Sequence, residues 1–238
     1  MAKDRPEKPK GKKHLLLEII KRIACGKVER PEWEWHTEMP DEPVLFVSNH
    51  TKIYAPSAMI LYKPDVRLWV NGYFVHYKEC WNHMLKKVLK ERPYYLKVLF
   101  VAVMPLIIYV FRAIDGIPVY HDTRVKKTFG LVLETMKEGG STMIFPERTE
   151  NPVNKYVYEF NKGFTYLGPM YYKRTGKRLK FYPVYFCESL KKVIVGEPVE
   201  YNPDLPMNEQ ADSICRYLES KIAEEGDALP PHDIVFYG

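Results

Sequence analysis

The sequence predicts an α/β fold of a single domain, with a mostly parallel or mixed central sheet flanked by helices. Short apolar runs, typical of buried strands, alternate with segments whose apolar residues recur at helical spacing. Neither internal repeats nor a linker interrupts the body of the chain. The length of 238 residues, with 46% hydrophobic and 28% charged residues, suits one large globular domain.

The predicted elements alternate along the chain. Apolar or alternating runs predict strands at 32–35, 44–47, 66–70, 116–120, 142–145, 181–186 and 191–195. Helical spacing predicts helices at 15–23, 57–62, 124–137, 163–174 and 213–223, and residues 73–97 have weak helical character. Gly139-Gly140 and Gly176 are expected to end two of these helices, because glycine readily adopts the conformation found at helix C-termini.

The N-terminal region and one apolar segment bear on membrane contact. Residues 1–13 are rich in Lys, Pro and Glu and predict a disordered basic arm, which leaves 14–238 for the domain. The helix at 15–23 is basic and amphipathic, which fits either a membrane surface or packing on the domain.

The apolar segment is Val98–Phe111, which contains Pro105 and is flanked by Lys97 and Arg112. Its length favours a core helix, whereas its flanking charges and aromatic residues leave a membrane-interfacial segment open. The sequence predicts neither a signal peptide nor a stretch of the roughly 20 apolar residues that a spanning helix needs.

The net charge and the cysteine content indicate which classes of partner and which compartment the protein suits. The net charge of +6 does not call for nucleic acid, and it suits an anionic membrane surface or a phosphorylated substrate. The cysteines, at positions 25, 80, 187 and 215, are far apart and form no CxxC motif. This pattern predicts reduced thiols in a cytosolic protein and no metal site.

Three predicted strands end in residues suited to chemistry. Asn49-His50 follows the strand at 44–47, Glu147-Arg148 follows the strand at 142–145, and His121–Arg124 follows the strand at 116–120. In open α/β sheets, ligands bind outside the carboxyl ends of the strands. If these strands are parallel neighbours, a base, an acid and several cations converge there, enough to bind a phosphate and deprotonate a hydroxyl.

Six short segments stand in order between about residues 43 and 200: Ser48–His50, Gly116–Val119, Phe145–Thr149, Phe160–Gly163, Tyr182–Val184 and Val195–Val199. In this order and spacing they resemble the motif blocks of the glycerolipid acyltransferases, the 1-acylglycerol-3-phosphate acyltransferase superfamily. The first resembles the start of N-H-x4-D, the third resembles F-P-E-G-T-R, and the last resembles a closing G-E-P-I. The resemblance implies a glycerol-phosphate acyltransferase-like fold.

The resemblance also implies a reaction in phospholipid biosynthesis. The histidine acts as general base on a lysophospholipid or related hydroxyl acceptor, which attacks the thioester of acyl-CoA or acyl-carrier protein, and no further cofactor is needed. General-base catalysis of this kind is worth about 10²–10⁴-fold. The implied catalytic residues are His50 and Glu147, and the implied substrate-binding residues are Asn49, Arg148, Thr149, His121, Arg124 and Lys162. The implied location is the inner face of a membrane, with the protein cytoplasmic and peripherally bound.

The sequence departs from the family pattern at the position of the motif aspartate, which is Ala55. In the third block Arg148 and Glu150 stand where the family has glycine and arginine, and in the second block Tyr120-His121 replaces the usual D-R. Arg148, His121 or Arg124 could supply the phosphate contact instead, and Asp122 or Glu147 could orient His50.

These departures keep an alternative function open, a catalytically impaired lipid-binding relative of the acyltransferases. A thioesterase or lipid hydrolase is a weaker reading, because the Gly-x-Ser-x-Gly motif of serine hydrolases is absent from the sequence.

Overall fold

A computed structural model describes Ile19, residues 28–63 and residues 65–235. The predicted arm at 1–13 and, apart from Ile19, the predicted helix at 15–23 lie outside the described residues. The strands are β1 Glu32–Trp35, β2 Leu45–Ser48, β3 Arg67–Asn71, β4 Ile117–Val119, β5 Thr142–Ile144, β6 Glu147–Pro152, β7 Tyr158–Phe160, β8 Lys180–Cys187, β9 Lys192–Val195 and β10 Val199–Glu200. The helices are α1 Tyr54–Tyr62, α2 Tyr77–His83, α3 Tyr94–Ala113, α4 Val125–Lys137, α5 Leu167–Thr175 and α6 Met207–Ala228. Short 3₁₀ turns at Gly72–Val75 and Lys162–Tyr166 and a π-helical turn at Met84–Val88 complete them.

Within the described residues, eight strands form one mixed sheet in the order β1-β9-β8-β2-β5-β3-β4, with β10 paired to β8. The five consecutive strands from β8 to β4 are parallel, whereas β9 and β10 run antiparallel to β8. Strands β6 and β7 form a separate antiparallel hairpin. The predicted single-domain α/β architecture with a mixed central sheet is therefore confirmed.

The sheet is covered on both faces, which explains why its strands read as continuous apolar runs. In β2, Leu45 and Val47 belong to one core cluster, and Phe46 belongs to the other with the preceding Val44. Residues of α4, α5 and α6 complete the first cluster, and α1 completes the second. Because successive strand residues point to opposite faces, an unbroken apolar run is what two covered faces require.

The predicted helix ends are also found. Gly139 and Gly176 have positive φ angles of 85° and 71°, the conformation for which glycine is suited. The last predicted helix, 213–223, is longer in the structure and spans Met207–Ala228.

The segment at 98–111 differs most from its prediction. It is part of the 20-residue helix α3, which continues through Pro105 and is long and apolar enough to cross a membrane by length and composition alone. The sequence prediction that no such stretch exists is wrong, because Tyr94–Lys97 and Arg112–Ala113 extend the helix beyond the apolar run. The favoured core placement is also wrong, since only 17% of the most apolar window of α3 is buried.

Candidate active site

The candidate site lies at the carboxyl ends of β2 and β5, which are adjacent parallel strands. Val47 pairs with Ile144, so the residues that follow the two strands emerge at the same edge of the sheet. Adjacent strands lie about 4.8 Å apart. This places Asn49-His50 beside Phe145–Glu147, as the alternating pattern of the sequence predicts.

Glu147 fixes the backbone of the histidine. Its Oε1 accepts a hydrogen bond of 2.5 Å from the backbone N–H of His50, and its Oε2 accepts one of 2.9 Å from the backbone N–H of Tyr158. Burial raises the pKa of Glu147 to about 7, although the two amide donors act in the opposite direction. The carboxylate therefore joins the end of β2 to the β6–β7 hairpin.

The imidazole of His50 is partly buried against the Phe145 ring, with 5.0 Å between the ring centroids. Burial lowers the pKa of His50 to about 4, because the charged imidazolium loses hydration there. At neutral pH the ring is uncharged, which is the state that can accept a proton.

Asn49 is the most firmly held of the predicted site residues. Its side chain is buried, its Oδ1 accepts from the N–H of Phe186 at 2.7 Å, and its Nδ2 donates to the carbonyl of the same residue at 3.1 Å. Both ends of the amide are thus used to attach the end of β2 to β8. This arrangement fixes the peptide that carries His50.

Ala55, at the position of the family's aspartate, is completely buried near the start of α1. Its backbone N–H donates to Thr51 Oγ1 at 2.9 Å, and its side chain belongs to the core cluster on that face of the sheet. Glu147 binds the His50 backbone, and Asp122 binds Arg124.

The loop after β4 forms a second charged group at the same edge. Arg124 donates to both carboxylate oxygens of Asp122 and, at 2.5 Å, to Glu79 of α2. Its guanidinium lies 4.3 Å from the centroid of the Tyr120 ring. These hydrogen bonds hold the pKa of Arg124 above its usual range. His121 beside it is exposed. Since β5 and β3 separate this loop from β2, it lies three strands from His50.

A third group lies towards α6. Lys162 forms an ion pair with Asp212 of α6, and Arg148 of β6 is exposed. Burial raises the pKa of Cys215, also on α6, to about 12, and the positive charges of Lys162 and Arg148 partly offset this rise. Both cations therefore lie near the first half of α6. Thr149, another predicted substrate contact, lies in β6.

Sequence reasoning missed the neighbours that hold these groups. The hydrogen-bonded amides of Tyr158 and Phe186 belong to the backbone and leave no side-chain signal. Glu79, which binds Arg124, lies in a segment whose helical pattern is weak. Phe145 stood within a recognised motif and packs on the imidazole, a role that the pattern did not reveal. No cluster of three or more His, Cys, Asp or Glu side chains suited to a metal ion occurs within the described ranges.

Comparisons with known proteins add a likeness to a solved structure. Neither a scan against protein-family models nor a search of curated proteins found a match to the sequence. Among solved structures, the chain is similar to the crystal structure of the 1-acyl-sn-glycerophosphate (LPA) acyltransferase PlsC from Thermotoga maritima, with a TM-score of 0.47 and 15% sequence identity. The match covers 92% of this chain and 83% of that chain. At this TM-score the likeness carries no conclusion about activity.

Proposed function

We propose that the chain is an O-acyltransferase that moves a fatty acyl group from acyl-CoA or acyl-carrier protein to a hydroxyl of a lysophospholipid or related glycerolipid. Its place in the cell is the cytoplasmic face of a membrane, where it acts in phospholipid biosynthesis as a peripheral protein. The six ordered sequence segments support the reaction class.

The observation that carries the proposal is the contact between Glu147 and the backbone N–H of His50. It joins two of those segments at one edge of the sheet and holds an uncharged imidazole there. In the proposed reaction the acceptor oxygen bonds to the thioester carbonyl carbon as its proton passes to His50. The C–S bond then breaks, the proton moves to the departing sulfur, and the products are an ester and a free thiol.

The low pKa of His50 bears on the acceptor. An imidazole with a pKa of about 4 is a weak base, and a neighbouring negative charge strengthens it by favouring the imidazolium. A phosphate-bearing acceptor supplies such a charge. Among the described residues of this edge, Arg148 offers an exposed guanidinium and His121 an exposed imidazole to a phosphate, whereas Arg124 is already bound by two carboxylates.

The test is an acyl-transfer assay on the purified full-length chain. Acyl-CoA and acyl-carrier protein are each offered with lysophosphatidate and with uncharged monoacylglycerol. We expect ester formation with the phosphorylated acceptor and its loss in His50→Ala. His36→Ala is the matched control, because His36 lies on the surface, where its ring forms a hydrogen bond with Glu225.

The second candidate function is a lipid-binding protein without turnover, and the buried Ala55 favours it. Alanine cannot accept the Nδ1–H of the histidine or stabilise an imidazolium. In a serine protease triad, removing the charge of the corresponding acid lowers turnover by about 10⁴-fold. Saturable binding of lysophosphatidate without any product, unchanged in His50→Ala, would establish this function in place of catalysis.

A further inference from the structure

The segment between β3 and β4 presents a wide apolar surface. It comprises the 3₁₀ turn, α2, the π-helical turn and α3, and we call residues 72–113 the helical arm. On its inner side Phe100, Met104 and Ile108 pack with Cys80 of α2. On its outer side α3 exposes apolar residues over several turns: Val98, Leu99, Val101, Val103 and Leu106.

The helical arm also has a net charge of +5. It holds seven Lys or Arg residues against two Glu, within a chain whose net charge is +6. Lys86, Lys87 and Lys90 are exposed just before α3 begins. Tyr94 and Tyr95, 79% and 68% exposed, stand at the first turn of α3 between these lysines and the apolar surface.

This order of charge, aromatic ring and apolar side chain matches one kind of partner. A bilayer surface presents anionic headgroups, an interfacial layer in which tyrosine is favoured, and acyl chains, in that order. A protein partner or a second copy of this chain would require shape and polar complementarity across the same surface. We therefore propose that the exposed face of α3, with the lysines before it, docks on the surface of an anionic lipid membrane.

The topology decides between lying on the membrane and crossing it. Strands β3 and β4 pair in parallel in one sheet, so the connection between them must begin and end on the same side of a bilayer. Such a connection crosses an even number of times. Within the helical arm only α3 is long and apolar enough to cross, so α3 lies in the interface with its apolar face towards the acyl chains.

The docked arm remains attached to the edge of the sheet that carries the candidate site. Phe74, in the 3₁₀ turn after β3, stacks on Phe111 near the end of α3 with 4.9 Å between centroids. Arg112 Nε donates to the carbonyl of Val75 at 2.9 Å, and Glu79 binds Arg124 in the loop after β4. Docking through α3 thus holds the carboxyl edge of the sheet near lipid. Access of a lipid acceptor to His50 from the membrane would follow, and this consequence rests on the proposed function. The docking itself does not rest on it.

Vesicle flotation of the full-length chain tests the docking. One set of vesicles is phosphatidylcholine with phosphatidylglycerol, and the other is phosphatidylcholine alone. We expect the chain to float with the anionic vesicles and to bind the neutral ones more weakly. Each lysine near an anionic surface adds roughly fivefold in affinity, so Lys86→Gln with Lys87→Gln should weaken anionic binding by about 25-fold.

Two apolar positions test the face directly. Leu99 and Leu106 lie two helical turns apart and are 59% and 46% exposed, so Leu99→Glu with Leu106→Glu does not disturb the core. We expect this double variant to lose at least tenfold in affinity for both vesicle types, with circular dichroism unchanged. Leu205→Glu, at a residue 49% exposed outside the arm, is the matched control and should float as the wild type does.

Two results would overturn the docking proposal. One is flotation of the Leu99/Leu106 variant equal to that of the wild type. The other is that the wild type binds neither vesicle type and forms a dimer, whereas the Leu99/Leu106 variant is monomeric. Neither result affects acyl transfer to a detergent-solubilised acceptor, so failure of docking is distinguishable from failure of the proposed function.

Discussion

Replacing Glu147 with Gln tests whether a buried carboxylate holds the histidine. The pKa of Glu147 rises from its ordinary value of 4.5 to about 7, which corresponds to about 3 kcal/mol at 1.36 kcal/mol per pKa unit. Because the folded chain binds this proton more tightly than the unfolded chain, the associated stability is complete below about pH 4.5. It is lost as the pH rises through about 7.

Glutamine has the same shape and does not titrate in this range. The free energy of unfolding of the wild type minus that of Glu147→Gln should therefore fall by about 3 kcal/mol between pH 4.5 and about pH 8. Urea unfolding of both proteins at a series of pH values measures this difference. Glu134→Gln, at an exposed position of α4, provides the control. A difference that stays constant with pH would refute the assigned burial of the carboxylate.

The same substitution should impair the proposed chemistry. The amide has one accepting oxygen for the two N–H groups of His50 and Tyr158, and its NH₂ group faces the other donor. A displacement of about 1 Å at a reacting group can cost about 10²-fold in rate. Turnover of Glu147→Gln should accordingly fall by about 10–100-fold at a pH at which both proteins are folded.

Three further predictions concern the same edge of the sheet. Because burial lowers the pKa of His50, the free energy of unfolding of the wild type should fall by about 3 kcal/mol as the pH falls from 6.5 through about 4, and His50→Ala should not show this fall. Urea unfolding at acidic pH values measures it, and the same pH dependence in both proteins would contradict the prediction. Asn49→Ala should lower the free energy of unfolding by about 2–4 kcal/mol, because it leaves two buried backbone groups of Phe186 without partners. Asn151→Ala, at an exposed position, should change the free energy of unfolding by less than about 0.5 kcal/mol. Equal effects would contradict a stabilising role for the hydrogen bonds between Asn49 and Phe186. Ala55→Asp should raise turnover on lysophosphatidate at least tenfold, and Ala55→Asn, which adds no charge, should raise it less; no rise with the fold intact would mean that a carboxylate at this position does not reach His50.

Much of the fold could be predicted because strands that are buried on both faces consist of unbroken apolar runs, which are visible in the sequence. The run at 44–47 is an example, since its residues divide between the two core clusters. The β6–β7 hairpin could not be found in this way, because Glu147–Pro152 has no apolar alternation. The ends of α6 were also missed, since its outer turns are mostly polar and only the buried face carries the periodic signal.

The helix α3 shows where apolar patterning misleads. A segment that is apolar on every face gives no periodicity from which to read its buried side, so length alone suggested the core. The structure shows Phe100 and Ile108 buried and Leu99 exposed, a division that the composition of the segment does not reveal.

Part of the candidate site could also be predicted. Strand ends with polar residues pointed to one edge of the sheet, and the structure places His50 and Glu147 there in contact. The partner atoms could not be predicted, because they depend on strand register and on backbone amides. The partner of Arg124 was unpredictable for a different reason, since Glu79 reaches it only through the fold of the helical arm.

The most direct test of the account counts product molecules. Purified wild type, His50→Ala and His36→Ala are each incubated with acyl-CoA or acyl-carrier protein and lysophosphatidate, and the diacylated product per protein molecule is measured by mass spectrometry. We expect many products per molecule for the wild type and His36→Ala, and a loss of about 10²–10⁴-fold for His50→Ala. Equal product from His50→Ala, or lysophosphatidate binding with no product from the wild type, would contradict it.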